Sequence, residues 1–275
     1  MNKKKKRIVY NICLVVLIMV FLLSAGYLVS YFLQSKKSED QFEELEAMID
    51  QPVEESEIAY VATEGDAEPG LEFVSIDGVL VQKQFASIYR ENHDFVGWLS
   101  IEDTNIDYPV MQTPEDEEYY IHRDFYGKSS SAGTLFIDAA SNVEKPSDNL
   151  LVYGHNMKSG TMFHDLLKYE KEDFYKNHKY IQFDTIYGNA TYEVIAAFRT
   201  KILPEGENGF QYYTFFDAAN EEEFREYISG CKALTPYTIQ ASAQPGDTLI
   251  TLSTCAYHTE NGRFAIVAKK IIQSQ

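Results

Sequence analysis

From residue 96 to residue 271 the chain breaks into eight short apolar runs with turn residues between them, and that rhythm restricts the fold more than any other feature. The runs are residues 96–101, 106–110, 134–137, 150–153, 180–185, 191–198, 248–254 and 264–271. Each is short for an amphipathic helix and rich in β-branched and aromatic side chains, so each reads as a strand. Eight such strands predict a mainly β fold, a closed or nearly closed eight-stranded β-barrel.

Helices are expected around this barrel. Asp77-Gly78 is read as opening an N-terminal helix, with Val81, Phe85 and Ile88 on one face and Asn92 near its end. Residues 161–167 form a brief helical interruption. Asn220 followed by Glu221, Glu222 and Glu223 reads as an N-cap with acids in the first turn. The helix it opens, over 220–229, places Phe224, Tyr227 and Ile228 on one face and forms an insertion between two late strands.

The N-terminus predicts an address. Lys3 to Lys6 and Arg7 form a basic tail, residues 1–7, ahead of an uncharged apolar run over 8–33. As a helix that run would rise about 39 Å, more than the ~30 Å of a bilayer core. Basic residues before the run predict an inside N-terminus and an extracellular C-terminal domain, a single-pass protein of the cell membrane. A cleaved signal peptide is the rival, because Ser24-Ala25-Gly26 supplies small residues. The apolar run continues past that site to Leu33, which favours an uncleaved transmembrane anchor.

Residues 34–76 are acidic and irregular in composition, with Pro52, Gly65, Pro69 and Gly70, and are expected to be a spacer with a helical turn or two near Glu43 to Ile49. Residues 77–275 then form the folded domain. Seven of the 24 Lys and Arg but none of the 42 Asp and Glu lie in residues 1–37, so the exterior part is strongly acidic. That balance argues against nucleic acid as a partner.

The chemistry-bearing residues lie beside strand ends. Thr251-Leu252-Ser253-Thr254-Cys255 ends in a cysteine, Arg263 heads the following strand, and Leu150-Leu151-Val152-Tyr153 runs into Gly154-His155-Asn156. A thiolate is a strong nucleophile towards carbonyl carbon, an imidazole can take and return its proton, and a guanidinium offers fixed donors to a developing oxyanion. Singly, each has a bland reading: a small buried hydrophobe, a turn residue, a solvated edge charge. Together they point to acyl transfer. Of the 3 Cys, Cys13 lies in the apolar run and Cys231 reads as a buried hydrophobe, so no disulfide framework is expected. No zinc-ligand spacing or glycine-rich phosphate loop is present in the sequence, and no cofactor or metal is implied.

The TLSTC segment with Arg263 behind it, and LVYGHNM over 151–157 before it, resemble the signature of sortases, the cysteine transpeptidases of Gram-positive bacterial surfaces. YGHNMKSGTMFHDL, residues 105–112 and Gly133-Thr134-Leu135-Phe136-Ile137-Asp138 resemble the class B branch, and the similarity spans roughly Asp77 to Ile272. The resemblance implies a sortase-type barrel with Cys255 as nucleophile, His155 as general acid/base and Arg263 as the oxyanion or substrate-orienting charge. Where family members often carry an acidic residue three positions after the cysteine, this chain has His258, a second imidazole near the thiol. The YGHN context favours His155.

Ser253, Ile121 and Tyr213 are the expected substrate contacts. Tyr213 lies in Phe210-Gln211-Tyr212-Tyr213-Thr214-Phe215-Phe216, which either lines a peptide groove or is simply buried. The partners implied are secreted proteins with a C-terminal sorting signal of Asn-Pro-x-Thr-x type, and an amine on a peptidoglycan stem or cross-bridge. A pilin-polymerising sortase, a plain cysteine peptidase and a catalytically silent anchored module stand as alternatives.

Overall fold

The computed structural model describes residues 3–49, 51–63, 69–204 and 206–271. Residues 1–2 of the expected tail, Gly65 of the spacer and residues 272–275 of the domain lie outside them.

All eight expected strands form, and the barrel closes. In chain order the strands of the structure are β1 (Ile58–Val61), β2 (Glu72–Ile76), β3 (Val79–Gln82), β4 (Phe95–Ser100), β5 (Asp107–Met111), β6 (Leu135–Ile137), β7 (Asn149–Tyr153), β8 (Tyr180–Thr185), β9 (Thr191–Lys201), β10 (Leu249–Cys255) and β11 (Gly262–Ile271). Around the barrel the order is β10, β11, β9, β8, β4, β5, β6, β7, and β7 pairs back onto β10. Most neighbours are antiparallel, but β7 and β10 run parallel, as do β5 and β6. The parallel β7–β10 pair brings the C-terminal ends of two strands to the same rim.

Alternation along β10 sorts its side chains into two buried layers. Ile250 and Leu252 join Phe264, Ile266 and Ala268 of β11 in the main core. Leu249 packs outward with Ala265 and Val267, under a second apolar layer that also holds Leu151, Tyr212, Phe215, Phe224, Tyr227, Ile228 and Cys231. Apart from Leu151 of β7, the residues that cover this face come from the insertion between β9 and β10. Its helix α4 (Glu221–Leu234) begins where expected, with Asn220 accepting from the backbone N–H of Glu222 and Glu223, and runs past the expected end. Burial raises the Cys231 thiol well above its ordinary range, so this cysteine is a core residue. The interruption after β7 is a 3-10 segment, Phe163–Glu170, followed by a short helix α3 (Glu172–Asn177) that the sequence pattern did not indicate.

The N-terminal third departs from expectation in two places. Asp77-Gly78 does not open a helix. Both residues have positive φ, 49° and 84°, and form the two-residue turn of the hairpin β2–β3, with Ile76 opposite Val79. The helix begins only after a 3-10 turn, as α2 (Ala86–Glu91), although Val81, Phe85 and Ile88 are all buried as expected. An Asp-Gly pair between two short runs rich in apolar, β-branched residues is a hairpin signal, and it wins over the N-cap reading.

The segment expected as an irregular spacer is also partly built. Helix α1 (Lys3–Glu46) carries the apolar run straight into it. Its apolar part is long and apolar enough to cross a membrane, with a mean hydropathy of 2.8 over a stretch of which nothing is buried. Beyond it Ser35, Ser38, Phe42 and Leu45 share one face and pack on the domain, and the Phe42 ring meets Tyr108 edge-on at 5.1 Å. Further on, β1 and β2 join β3 in a three-stranded sheet.

Candidate active site

Cys255 is the last residue of β10 and lies directly opposite Arg263 in β11. Opposed residues of an antiparallel pair project to the same face, and Cys255 shares the parity of Leu249, Thr251 and Ser253, so both side chains leave the barrel on its outer side. On the other flank, Ser253 is in register with Tyr153, the last residue of β7. His155 follows two residues later. The sequence interval of a hundred residues thus closes across three neighbouring strands.

The loop that carries His155 is bonded to β10 on both sides of the imidazole. Gly154 donates its N–H to the Ser253 carbonyl at 3.2 Å, and its own carbonyl accepts from the Thr254 hydroxyl at 2.7 Å. Past the histidine, Asn156 donates from Nδ2 to the Cys255 carbonyl at 3.0 Å. The Asn156 Oδ1 atom accepts from His164 Nδ1 at 2.9 Å, which fixes the amide the right way round.

Cys255, His155 and Arg263 line one open cavity of about 300 Å³. Ser253, Thr254, Tyr153 and Gly154 also line it, with Ile121, Thr134, Phe136 and Ile202. Glu117 and Glu118 complete the wall. Burial, then the Asp138 carboxylate, raises the Glu117 carboxyl. These two acids escaped the sequence reading, which had no strand or motif to attach them to the site.

The electrostatics define what the groups can do. His155 Nε2 lies 2.7 Å from the Ile121 carbonyl oxygen, which can only accept, so the neutral imidazole carries its proton on Nε2 and keeps Nδ1 basic. Burial lowers the His155 pKa, the Ile121 carbonyl opposes that, and His122 adds to it. Arg263 donates to the Gly262 carbonyl at 3.1 Å and, among the described residues, is ion-paired with no carboxylate, so most of its fork stays available. Behind the site, burial pushes the Tyr212 phenol up to about 12, and its hydroxyl meets Ser253 Oγ at 2.7 Å as a neutral partner.

Among the expected substrate contacts, Ser253 and Ile121 line the cavity and Tyr213 does not: its hydroxyl accepts from the Leu203 N–H at 3.0 Å. In the aromatic stretch Tyr212 and Phe215 are buried and the other aromatic residues half-buried, with Phe215 stacked on Tyr227 at 4.0 Å. His258 is exposed, bonded through Nδ1 to the Ala256 carbonyl, and lies outside the cavity lining. Among the described residues no group of three His, Cys, Asp or Glu is placed to hold a metal ion.

Known proteins resemble this chain in both sequence and architecture. The sortase-domain family model matches residues 99–271. Sortase B of Listeria monocytogenes is 34% identical over 193 residues, covering 70% of this chain and 75% of its own. The structure of sortase B from B. anthracis superposes with a TM-score of 0.70 at 26% identity, over 88% of this chain and all of that one. A sortase B–substrate complex from Staphylococcus aureus matches at 31% identity and a TM-score of 0.63, over 70% of this chain and 87% of that one. The chain belongs to the sortase family, in its class B branch of cysteine transpeptidases.

Proposed function

We propose that this sortase is anchored in the cell membrane by α1, with its domain outside, and joins secreted proteins to a peptidoglycan amine. It takes a C-terminal sorting peptide of Asn-Pro-x-Thr-x type. The observation that carries the chemistry is the meeting of Cys255, His155 and Arg263 in one open cavity at the end of β7, β10 and β11. The substrate complex of the S. aureus relative supports a peptide as the ligand of such a cavity.

In this reading His155 takes the Cys255 proton at Nδ1 while Nε2 stays bonded to Ile121. The thiolate attacks the threonine carbonyl, and the oxyanion that forms is met by the Arg263 guanidinium. Collapse breaks the peptide bond, the departing amine receives the proton from His155, and a thioester remains on Cys255. An acceptor amine then attacks the thioester, His155 removes its proton, and Cys255 leaves as thiolate to be reprotonated. A neutral imidazole of lowered pKa suits the first transfer and gives the proton back readily. The basic residues Lys3 to Arg7, at the start of α1 and ahead of its apolar run, and the absence of acidic residues beside them support the inside N-terminus.

The test uses the full chain in detergent with a small set of sorting peptides and glycine-rich or diamino-acid stem peptides. Cleavage after threonine with transfer to the added amine supports the reading. Cleavage whose rate and products ignore every amine makes the protein a peptidase instead. Protease digestion of intact cells tests topology: the domain should be cut from outside, and full protection contradicts the orientation.

A further inference from the structure

The imidazole of His155 has a neighbour that the chemistry above leaves unused. His122, exposed at the end of the 3-10 turn Tyr119–His122, stacks on it with ring centroids 5.3 Å apart and planes 20° from parallel. The residue before His122 supplies the carbonyl that fixes the His155 tautomer. The turn is held at its base, since Ser130 donates to the His122 carbonyl at 3.0 Å and Thr134 to that of Tyr120 at 3.1 Å. One short, anchored turn therefore presents both a hydrogen-bond acceptor and a flat ring to the same imidazole. Arg123, the adjoining cation, is turned over the Tyr119 ring at 4.0 Å.

We propose that His122 is a positioning residue for His155: its ring holds the neighbouring imidazole against the Ile121 carbonyl, and its charge state governs how readily that imidazole takes a proton. Offset stacking restrains ring rotation at this separation. A protonated His122 places like charge beside a protonated His155 and disfavours it. The other charged or titratable groups that line the cavity with His155 are Tyr153 of β7, Cys255 of β10, Arg263 of β11, and Glu117 and Glu118. The role in turnover rests on the transpeptidase reading.

Three variants separate ring from charge: His122→Phe keeps a flat ring without charge, His122→Arg keeps a planar cation at every pH, and His122→Ala removes both. The ring resonances of His155 are titrated by NMR in the full chain in detergent micelles, and kcat and KM are measured with a sorting peptide. The His155 midpoint should lie about half a pH unit lower in the Arg variant than in the Phe variant, the shift expected for a unit charge at this separation in a water-like medium. His122→Ala should lose several-fold in kcat with KM little changed, and Phe should recover most of that loss. A common midpoint in the Phe and Arg variants, or equal kcat in Ala and Phe, overturns the proposal. Absence of peptide cleavage by the unaltered chain defeats the functional reading instead, and the NMR comparison still decides the charge effect.

Discussion

The Asn156 amide donates to the Cys255 carbonyl at 3.0 Å, so the residue after one candidate catalytic group is bonded to the backbone of the other. With the two Gly154 bonds, this makes the β7 loop and the end of β10 a single unit on either side of His155. These three hydrogen bonds tie the backbone that carries the imidazole to the backbone that carries the thiol. His164 holds the amide in the donating orientation.

Asn156→Asp keeps an acceptor for His164 but sets an oxygen against the Cys255 carbonyl. Stability should fall by about 1 kcal/mol for the lost bond, and kcat by roughly tenfold or more, because small misplacements of reacting groups are expensive in rate. Thermal unfolding and steady-state kinetics check this. An unchanged kcat would mean that the Cys255 backbone is held by the sheet alone.

Gly133 protects the acceptor of His155. Its φ is +64°, and a Cβ there would sit 2.5 Å from the Ile121 carbonyl oxygen and 2.8 Å from that of Tyr120. Gly133→Ala should therefore lower stability by about 1–3 kcal/mol through backbone strain and also reduce turnover. Gly246→Ala is the control, with φ +96° and nothing within 4 Å of the added carbon. It should show backbone strain in its Tm without loss of kcat. Equal kinetic losses in the two variants would contradict the role given to the Ile121 carbonyl.

The two imidazoles near the thiol should differ. His155→Ala should lose turnover by about 10²–10⁴-fold, the usual worth of proton transfer, whereas exposed His258→Ala should keep most of it. The lowered His155 pKa also has a stability consequence. Just below the ordinary value of 6.5 the unfolded chain binds a proton that the folded chain refuses, so stability falls as pH drops from 6.5 through the folded value. His155→Gln should remove that part of the slope in denaturation curves taken across this window. A slope identical to the parent's would show that the folded imidazole titrates normally.

The barrel was legible because its strands are short, separated by turn residues, and rich in side chains that suit a pleated sheet. The N-terminal third was harder. Asp77-Gly78 carries both a capping residue and the favoured hairpin pair, and the β-branched residues on both sides, Val74 and Ile76 before and Val79 and Val81 after, decide between them. The face made by Ser35, Ser38, Phe42 and Leu45 was hidden because two of its four members are polar and the residues between them, from Lys36 to Glu44, are charged or polar. In the site, Cys255, His155 and Arg263 were legible as residue types at strand ends. The Ile121 carbonyl is backbone chemistry, which residue identity does not reveal. Glu117 and Glu118 join the cavity lining and His122 stacks on His155 only because the chain before β6 packs beside the end of β7, a long-range fact that no local spacing encodes.

Arg263→Lys separates charge from geometry. A guanidinium offers a planar fork and an ammonium does not, so turnover should fall by about 10²–10³ as for a lost oxyanion donor. Alkylation of Cys255 by a small reagent forms no carbonyl oxyanion and should change much less. A parallel loss in both reactions would assign Arg263 to the thiol instead.

The most direct measurement is intact-mass analysis of the full chain mixed with a sorting peptide and quenched in acid. The account predicts an acyl adduct of the peptide's N-terminal fragment, mapped to Cys255, absent in Cys255→Ala, retained in Cys231→Ala, and discharged faster when an acceptor amine is added. Peptide turnover by Cys255→Ala, or an adduct mapped to any other residue, would contradict it.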